Sequence, residues 1–156
     1  MNTHPLPRNP AHQSGVGLIE VMIAVLVLSI GFLGIAALEA MSLSTNNSAY
    51  ARSMATINAY SILDAMRADL TNAKAGSYNG TVTASSCPAA GGTLITQQIS
   101  VWCGSLASTL GANGTTTGNV NCDGNGNCTV TIMFDDSRSG SKLGSNTQTF
   151  VTQGVL

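Results

Sequence analysis

Glu20 is the residue of this chain whose position most needs a chemical explanation. It lies at the start of a long apolar run, and the next charged residue along the chain is Glu39. The 23 residues from Val16 to Leu38 would, at about 1.5 Å per helical residue, cross a hydrocarbon core of roughly 30 Å. A carboxylate in such a segment is costly unless it meets a cation, and the run contains none. Glu20 is therefore a candidate for pairing with a positive group from outside the run.

The cysteines are the second group of residues with chemical potential. All of them follow the apolar run: Cys87, Cys103, Cys122 and Cys128. An even number in a part of the chain that would be exported predicts two disulfides. A zinc site is the competing interpretation, but no Cys-x-x-Cys spacing occurs and both histidines, His4 and His12, precede Gly15. We therefore predict disulfides, with no metal and no other cofactor.

The remaining polar residues do not favour catalysis. Without residues 1–15 the chain has no histidine, so Ser-His-Asp and Cys-His arrangements are not available. Asp123, Asp135 and Asp136 offer a carboxylate pair in principle, but roles in turns and loops explain them better. The oxygen spacing from Asp123 to Asn127 resembles a calcium loop only weakly, because the glycine and glutamate that such a loop needs are replaced. We expect a protein that is not an enzyme.

Length and charge are consistent with one small domain behind a membrane segment. The chain has 156 residues, and only 8% of them are charged. Removal of residues 1–15 would take away Arg8 and leave five basic residues against seven acidic ones. This balance gives no indication of nucleic-acid binding or of a basic patch for a membrane surface.

The first element that must position these residues is a long helix. Residues 1–15 form a polar leader, and residues 16–75 are predicted to form one helix, of which residues 16–38 are the membrane-spanning part. No proline occurs between Pro10 and Pro88, and the first strong helix-ending signal is Ala75-Gly76, with Lys74 in the last turn.

The second half of this helix carries two apolar stripes. One face holds Ala55, Ala59, Ile62, Met66, Leu70 and Ala73. A second face, more than about 90° away at 100° per residue, holds Leu43, Tyr50, Met54 and Ile57. Two stripes predict two packing partners, namely the chain's own domain for the first and other subunits for the second. The alternative is that the second stripe is only short and half-exposed.

Residues 76–156 are predicted to form a β-rich globular head. Apolar residues from Ile95 to Leu110 share one side of a helical wheel, which predicts a short helix over 94–110, capped by Gly111, with Trp102 as core anchor. Residues 118–122 and 128–134 flank a Gly/Asn/Asp cluster and predict a hairpin. Residues 147–155 and 81–84 supply two further strands. The predicted fold class is α+β, with a long N-terminal helix, an extra short helix and a small antiparallel sheet; the family resemblance described below implies that the long helix packs on this sheet.

These elements also favour one disulfide connectivity among the three that four cysteines permit. Cys122 and Cys128 flank a five-residue turn and can face each other across the hairpin. Cys103 lies at the edge of the buried face of the short helix, near the loop that holds Cys87. We therefore predict the pairs Cys87–Cys103 and Cys122–Cys128.

The start of the chain resembles the type III signal of type IV prepilins. The residues that carry the resemblance are Gly15-Val16-Gly17-Leu18-Ile19-Glu20. The resemblance implies that a prepilin peptidase cuts after Gly15, that Val16 becomes the N-methylated N-terminus and that Glu20 is the family's glutamate. The sequence around Leu28-Ser29-Ile30-Gly31 further resembles minor pilins of the PilV type. In two respects it departs from the family: Val16 replaces the usual Phe, and no Lys or Arg stands close to the cut.

The resemblance also implies partners and a location. The expected partners are other pilin and minor pilin subunits, the prepilin peptidase and the inner-membrane machinery that assembles a pilus. The expected location is the inner membrane, crossed once with the C-terminal domain in the periplasm, and then the extracellular filament. A new amino group at Val16 in one subunit would pair with Glu20 of a neighbour, and burial would make that pairing strong.

Three other interpretations remain open on the sequence. A pseudopilin of a type II secretion system shares the same N-terminal chemistry. An ordinary secretory signal peptide, cut near Gly34-Ile35-Ala36, would leave a secreted enzyme or binding domain. A membrane-anchored ligand-binding domain is the third.

Overall fold

A computed structural model describes residues 15, 17–137 and 147–156 of the chain. The elements found there are α1 (Leu18–Ala68), α2 (Leu70–Lys74), β1 (Gly80–Thr83), α3 (Leu94–Leu110), β2 (Thr117–Cys122), β3 (Asn127–Asp135) and β4 (Thr147–Val155). The chain divides into two compact units, one up to Ala40 and one from Met41 to Leu156. The fold class is α+β, as predicted, with a helix packed on a small antiparallel sheet and a further short helix.

The sheet of the second unit is an antiparallel meander in the order β1-β2-β3-β4. Its central strand β3 alternates between buried and more exposed residues, because successive side chains of a strand point to opposite faces. The inward-facing residues of β3 are Cys128, Val130, Ile132 and Phe134. The hairpin predicted around the Gly/Asn/Asp cluster is confirmed, with Cys122 opposite Cys128. The predicted first and last strands are confirmed as β1 and β4.

The core of this unit lies between the sheet and the two helices that cover it. The buried residues of α1 are Ala55, Asn58, Ala59, Ile62, Leu63 and Met66. From α3 come Trp102 and Leu106, which approach β2 so closely that a Cβ on Gly118 would lie 2.5 Å from Trp102 Cη2. Only glycine fits at this position, and its absent side chain allows the aromatic ring to lie against the strand.

The predicted short helix over 94–110 is confirmed as α3, and both of its ends have a local cause. At the start, Thr93 Oγ1 accepts the backbone N–H of Thr96 at 3.3 Å, which is the interaction of an N-cap. At the end, Gly111 has φ of 109°, a value that glycine adopts without strain.

The prediction of one continuous helix over 16–75 needs correction. α1 ends at Ala68, and the short α2 follows after Asp69. Asp69 has φ of −128° and ψ of 54°, and its carboxylate accepts hydrogen bonds from Asn72 Nδ2 at 2.8 and 3.0 Å and from Tyr78 Oη at 3.1 Å. Hydrogen bonds between an Asp side chain and nearby groups compete with the backbone hydrogen bonds of a helix, and this competition explains the interruption at Asp69.

Candidate functional site

The first candidate site is the apolar part of α1 in the unit that ends at Ala40. Every described residue from Gly17 to Leu43 is exposed, including all the large apolar side chains. Among the described residues, α1 is the helix that is long and apolar enough to cross a membrane. Apolar surface of this extent is not stable in contact with water, so it requires lipid or other apolar helices around it.

Glu20 lies in the first turn of this helix. The backbone N–H groups of Glu20 and Val21 both donate to the carbonyl of Gly17, at 3.0 and 3.3 Å, and these bonds begin the helix. The Glu20 side chain is exposed and forms no ion pair with any residue the structure describes. A counter-charge for Glu20 must therefore come from another molecule or from residues outside the described part of the chain.

Gly15 and Val16 precede this turn. A Cβ built on Gly15 would meet no atom within 4 Å, so nothing in the described fold requires glycine there. Val16, the predicted N-terminus after cleavage, lies outside the described residues. Packing against the residues that the structure describes therefore gives no reason for a glycine at position 15.

The second candidate site is the outer stripe of α1 in the unit that begins at Met41. Leu43 is 65% exposed, and Tyr50 and Ile57 are both 57% exposed. Met54 differs, because it is half-buried and packs against the core. The placement of Met54 on the outer stripe therefore needs correction: its neighbour Asn58 is turned inward toward α3, and Met54 lies at the border of that face.

The inner stripe also needs one correction. Ala55, Ala59, Ile62, Met66 and Ala73 are buried as predicted, but Leu70 is 40% exposed. The break of the helix at Asp69 is the reason, because it interrupts the 3.6-residue periodicity that placed Leu70 in line with Met66.

The structure contains the two predicted disulfides. Cys87 is bonded to Cys103, with 5.5 Å between their Cα atoms, and Cys122 to Cys128, with 4.0 Å. The first ties the loop after β1 to α3, and the second ties β2 to β3. Cys103 is fully buried instead of lying at the edge of the buried face of its helix.

The aspartates have structural roles in the described part of the chain. Asp123 Oδ1 accepts the backbone N–H groups of Asn125 and Asn127, at 3.0 and 2.8 Å, and Oδ2 accepts the side-chain amide of Asn127. These bonds, led by the one from the Asn127 side chain, lower the pKa of Asp123. The carboxylate thus holds the hairpin turn, and no group of three residues able to hold a metal occurs among the described residues.

Asp136 follows β3, outside any strand or helix, and has a tertiary contact that the sequence does not indicate. It is only 6% exposed, and Ser48 Oγ of α1 donates to its Oδ2 at 2.7 Å. The side chain therefore joins the end of β3 to α1. No local pattern in the sequence indicates this contact, because the two residues are 88 positions apart.

Comparison with known proteins gives one informative result. Residues 10–36 match the prokaryotic N-terminal methylation motif. No curated protein and no solved structure shows a significant match to the chain. The matched residues include Gly15, Val16 and Glu20 and continue into the exposed apolar part of α1.

The motif and the fold together indicate a class of protein. They support a type IV pilin-like protein, either a pilin or a pseudopilin, and they point to a structural subunit. The motif implies processing by a prepilin peptidase and assembly with other pilins, and the apolar helix suggests anchoring in a membrane.

Proposed function

We propose that this chain is a minor pilin of the PilV type, processed between Gly15 and Val16 and assembled into, or used to initiate, a type IV pilus. The observation that supports the proposal most directly is the position of Glu20. This carboxylate has no ion-pair partner among the described residues and lies in the first turn of an apolar helix. In that helix every residue before Ser44 is exposed. This combination suits a helix whose partners are other helices of the same kind.

The proposed role of Glu20 is to pair with the amino group of a neighbouring subunit. Cleavage after Gly15 would create that cation at Val16, four residues before Glu20. Both charges lie in apolar surroundings, where an unpaired charge is heavily penalised and a well-placed pair is strong. The pair would form only at one stagger between two helices, so it would fix the register of assembly.

The two disulfides support the proposed orientation. Bonds between cysteines persist in oxidising compartments, such as the bacterial periplasm, and are rare in the cytosol. Both bonds lie in the unit from Met41 onward. A single crossing of the inner membrane by the apolar part of α1, with this unit in the periplasm, accounts for them.

The outer stripe would extend the assembly surface beyond the membrane segment. Leu43, Tyr50 and Ile57 follow each other at intervals of seven residues and are all more than half exposed. Residues at this spacing lie along one side of a helix, where a second helix can pack. We assign these three residues to contacts with neighbouring subunits.

The test is the replacement of Glu20 by an apolar residue. We expect Glu20→Val to be cut normally and to stay in the membrane, but to be missing from sheared filaments, because the charge matters only when a partner N-terminus is adjacent. Glu20→Gln is the matched polar control and should share the defect, since it keeps the hydrogen bonding and loses the charge. Incorporation of Glu20→Val at the normal level would remove the electrostatic argument.

A pseudopilin of a type II secretion system is the competing function, since the same motif serves both. Expression of the tagged chain in cells that lack either the pilus assembly platform or the secretion platform separates them. The proposal requires that the chain disappear from sheared filaments only in cells without the pilus platform.

A further inference from the structure

The globular unit has one feature that the proposed function does not explain, namely the outer edge of β4. The direction of its backbone groups follows from the ladder. The Leu156 N–H donates to Gly126 O at 2.9 Å, so Leu156 faces β3. Backbone groups alternate in direction from one residue to the next along an antiparallel strand. The residues whose N–H and C=O groups face away from β3 are therefore Thr149, Val151, Gln153 and Val155.

A second observation gives the same assignment. The Asp123 N–H donates to Asn127 O at 3.0 Å, so Asn127 faces β2 and Cys128 faces β4. Cys128 is paired with Gly154, which must then face β3. Gln153 and Val155, on either side of Gly154, face outward.

The described residues leave this edge open over most of its length. No hydrogen bond from any other described residue reaches the outward backbone groups between Thr149 and Val155. β4 has nine residues, without a charge or a proline, although these are the usual protections of an edge strand. The opposite edge is different, because β1 has only four residues and the carbonyl of Thr83 accepts the Ser86 N–H at 2.9 Å.

Positive charge lies along the same edge. The three basic residues in the described part of the chain, Arg52, Arg67 and Lys74, are all beside β4 or its end. Arg52 Nη2 donates to Gln148 Oε1 at 3.4 Å, and Arg67 Nη2 lies 3.9 Å from the point where a Cβ on Gly154 would be. Lys74 Cε lies 2.9 Å from the point where a Cβ on Gly126 would be. The carbonyl of Gly126 accepts the backbone N–H of Leu156, so Lys74 is near the end of β4.

These charges are available to a partner. Arg52, Arg67 and Lys74 are exposed, and Arg67 alone of the three is in an ion pair with a described residue, namely Asp64 at 2.7 Å. An ion pair this exposed is weak, and the guanidinium retains N–H groups that can donate to a second carboxylate. On the core side of β4, Phe150 is only partly buried, so another strand at this edge would also cover apolar surface.

We propose that the β4 edge binds an extended segment of another protein, which adds a fifth strand and carries acidic side chains on its helix-facing side. The positions of Arg52 and Arg67 set the spacing of those side chains. They lie beside Gln148 and Gly154, six residues apart on β4, and residues an even number apart on a strand share a face. Apart from two acidic residues six positions apart, the segment consists of uncharged, β-branched residues, which favour a strand. The inference concerns the globular unit and does not rest on the assignment as a pilin.

Binding of synthetic strands to the full chain in detergent tests the proposal. The probe is a labelled nine-residue peptide of Thr and Val with Glu at its second and eighth positions, and binding is followed by fluorescence anisotropy. Two control peptides have Lys at those positions, or Glu at the second and fifth, which lie on opposite faces. We expect the first peptide to bind at least tenfold more tightly than either control.

Substitutions in the chain locate the binding. Val151→Pro removes an outward N–H without touching the ladder to β3, so it should weaken binding at least tenfold and leave the melting temperature within about 2 °C, since proline is tolerated at such edge positions. Val151→Ala is the matched control and should bind within twofold of the unchanged chain. Arg52→Gln combined with Arg67→Gln should abolish the preference for Glu over Lys.

Three results would overturn the proposal. One is absence of binding, or equal binding of the three peptides. Another is unchanged binding by Val151→Pro. The third is concentration-dependent self-association in sedimentation that Val151→Pro abolishes, because the edge would then be occupied by a second copy of the chain and not by an acidic segment.

Discussion

The indole N–H of Trp102 donates to the backbone carbonyl of Asn58 at 3.0 Å, and this bond joins α3 to α1 inside the core. The side chain of Asn58 adds a second connection, because its Nδ2 donates to Thr109 Oγ1 at 3.0 Å as well as to the carbonyl of Met54 at 2.8 Å. Trp102 and Asn58 are both buried. The helix α3 is therefore positioned by a satisfied polar contact in addition to apolar packing.

Replacement of Trp102 by phenylalanine should destabilise the globular unit by about 1–3 kcal/mol. The change removes one hydrogen bond and part of a buried aromatic side chain, and both losses contribute. Denaturant unfolding of the unit from Met41 to Leu156 measures it. Val101→Ala on the same helix is the control, and it should change the free energy of unfolding by less than about 0.5 kcal/mol because Val101 is exposed. Equal effects of the two changes would show that the contact with Asn58 has no special weight.

Tyr78 should make stability depend on pH in the alkaline range. Burial, followed by the hydrogen bond and the negative charge of Asp69, raises the pKa of Tyr78 from 10.0 to about 12. The unfolded chain therefore loses this proton at a lower pH than the folded chain does. The stabilisation is fully present below about pH 10 and is lost as the pH rises toward about 12.

Unfolding experiments between pH 9 and pH 12 test this dependence, with Tyr78→Phe as the control because it cannot ionise. The free energy of unfolding of the unchanged chain should fall more steeply through that window than that of the control. Parallel curves would mean that Tyr78 ionises equally easily in both states.

The sequence predicts the elements of this fold well, because most of them have a local cause. The apolar residues Val130, Ile132 and Phe134 alternate with more exposed residues, and this pattern determines β3. Gly111 determines the end of α3. The break at Asp69 was not predictable, since it depends on a hydrogen bond from Tyr78, nine residues away. Contacts across the fold, such as Ser48 with Asp136, leave no periodic pattern in the sequence.

The candidate site also has parts that the sequence predicts and parts that it does not. The position of Glu20 before an apolar run is a local pattern that can be read directly from the sequence, and the matched motif covers it. Met54 was misplaced because a helical wheel gives angles but not the direction from which α3 approaches. The open edge of β4 could not be predicted from the sequence, because it depends on which strand lies at the edge of the sheet.

Gly15→Glu should leave the uncut precursor in the membrane. No described atom lies within 4 Å of a Cβ at this position, so the fold tolerates a side chain and the effect must arise from the peptidase. Mass spectrometry of the membrane fraction should show residues 1–15 still attached, whereas the unchanged chain should start at Val16 with an added methyl group. Gly17→Ala is the control, since it adds a side chain beyond the cut and should be processed. Normal cleavage of Gly15→Glu would place the cut elsewhere.

The two stripes of α1 should respond in opposite ways to a charge. Met66 is fully buried, so Met66→Asp should destabilise a fragment of residues 42–156 by about 3–5 kcal/mol, because it places an unpaired carboxylate in the core. Ile57 is 57% exposed, so Ile57→Asp should change the stability of the same fragment by less than about 1 kcal/mol. In the full chain, Ile57→Asp should nevertheless block entry into filaments, because it places a charge where we propose that a helix of a neighbouring subunit packs. Thermal melts of both fragments and immunoblots of sheared filaments decide the matter. A drop in melting temperature for Ile57→Asp as large as that for Met66→Asp would mean that both stripes are internal, and the outer stripe would then have no role in assembly.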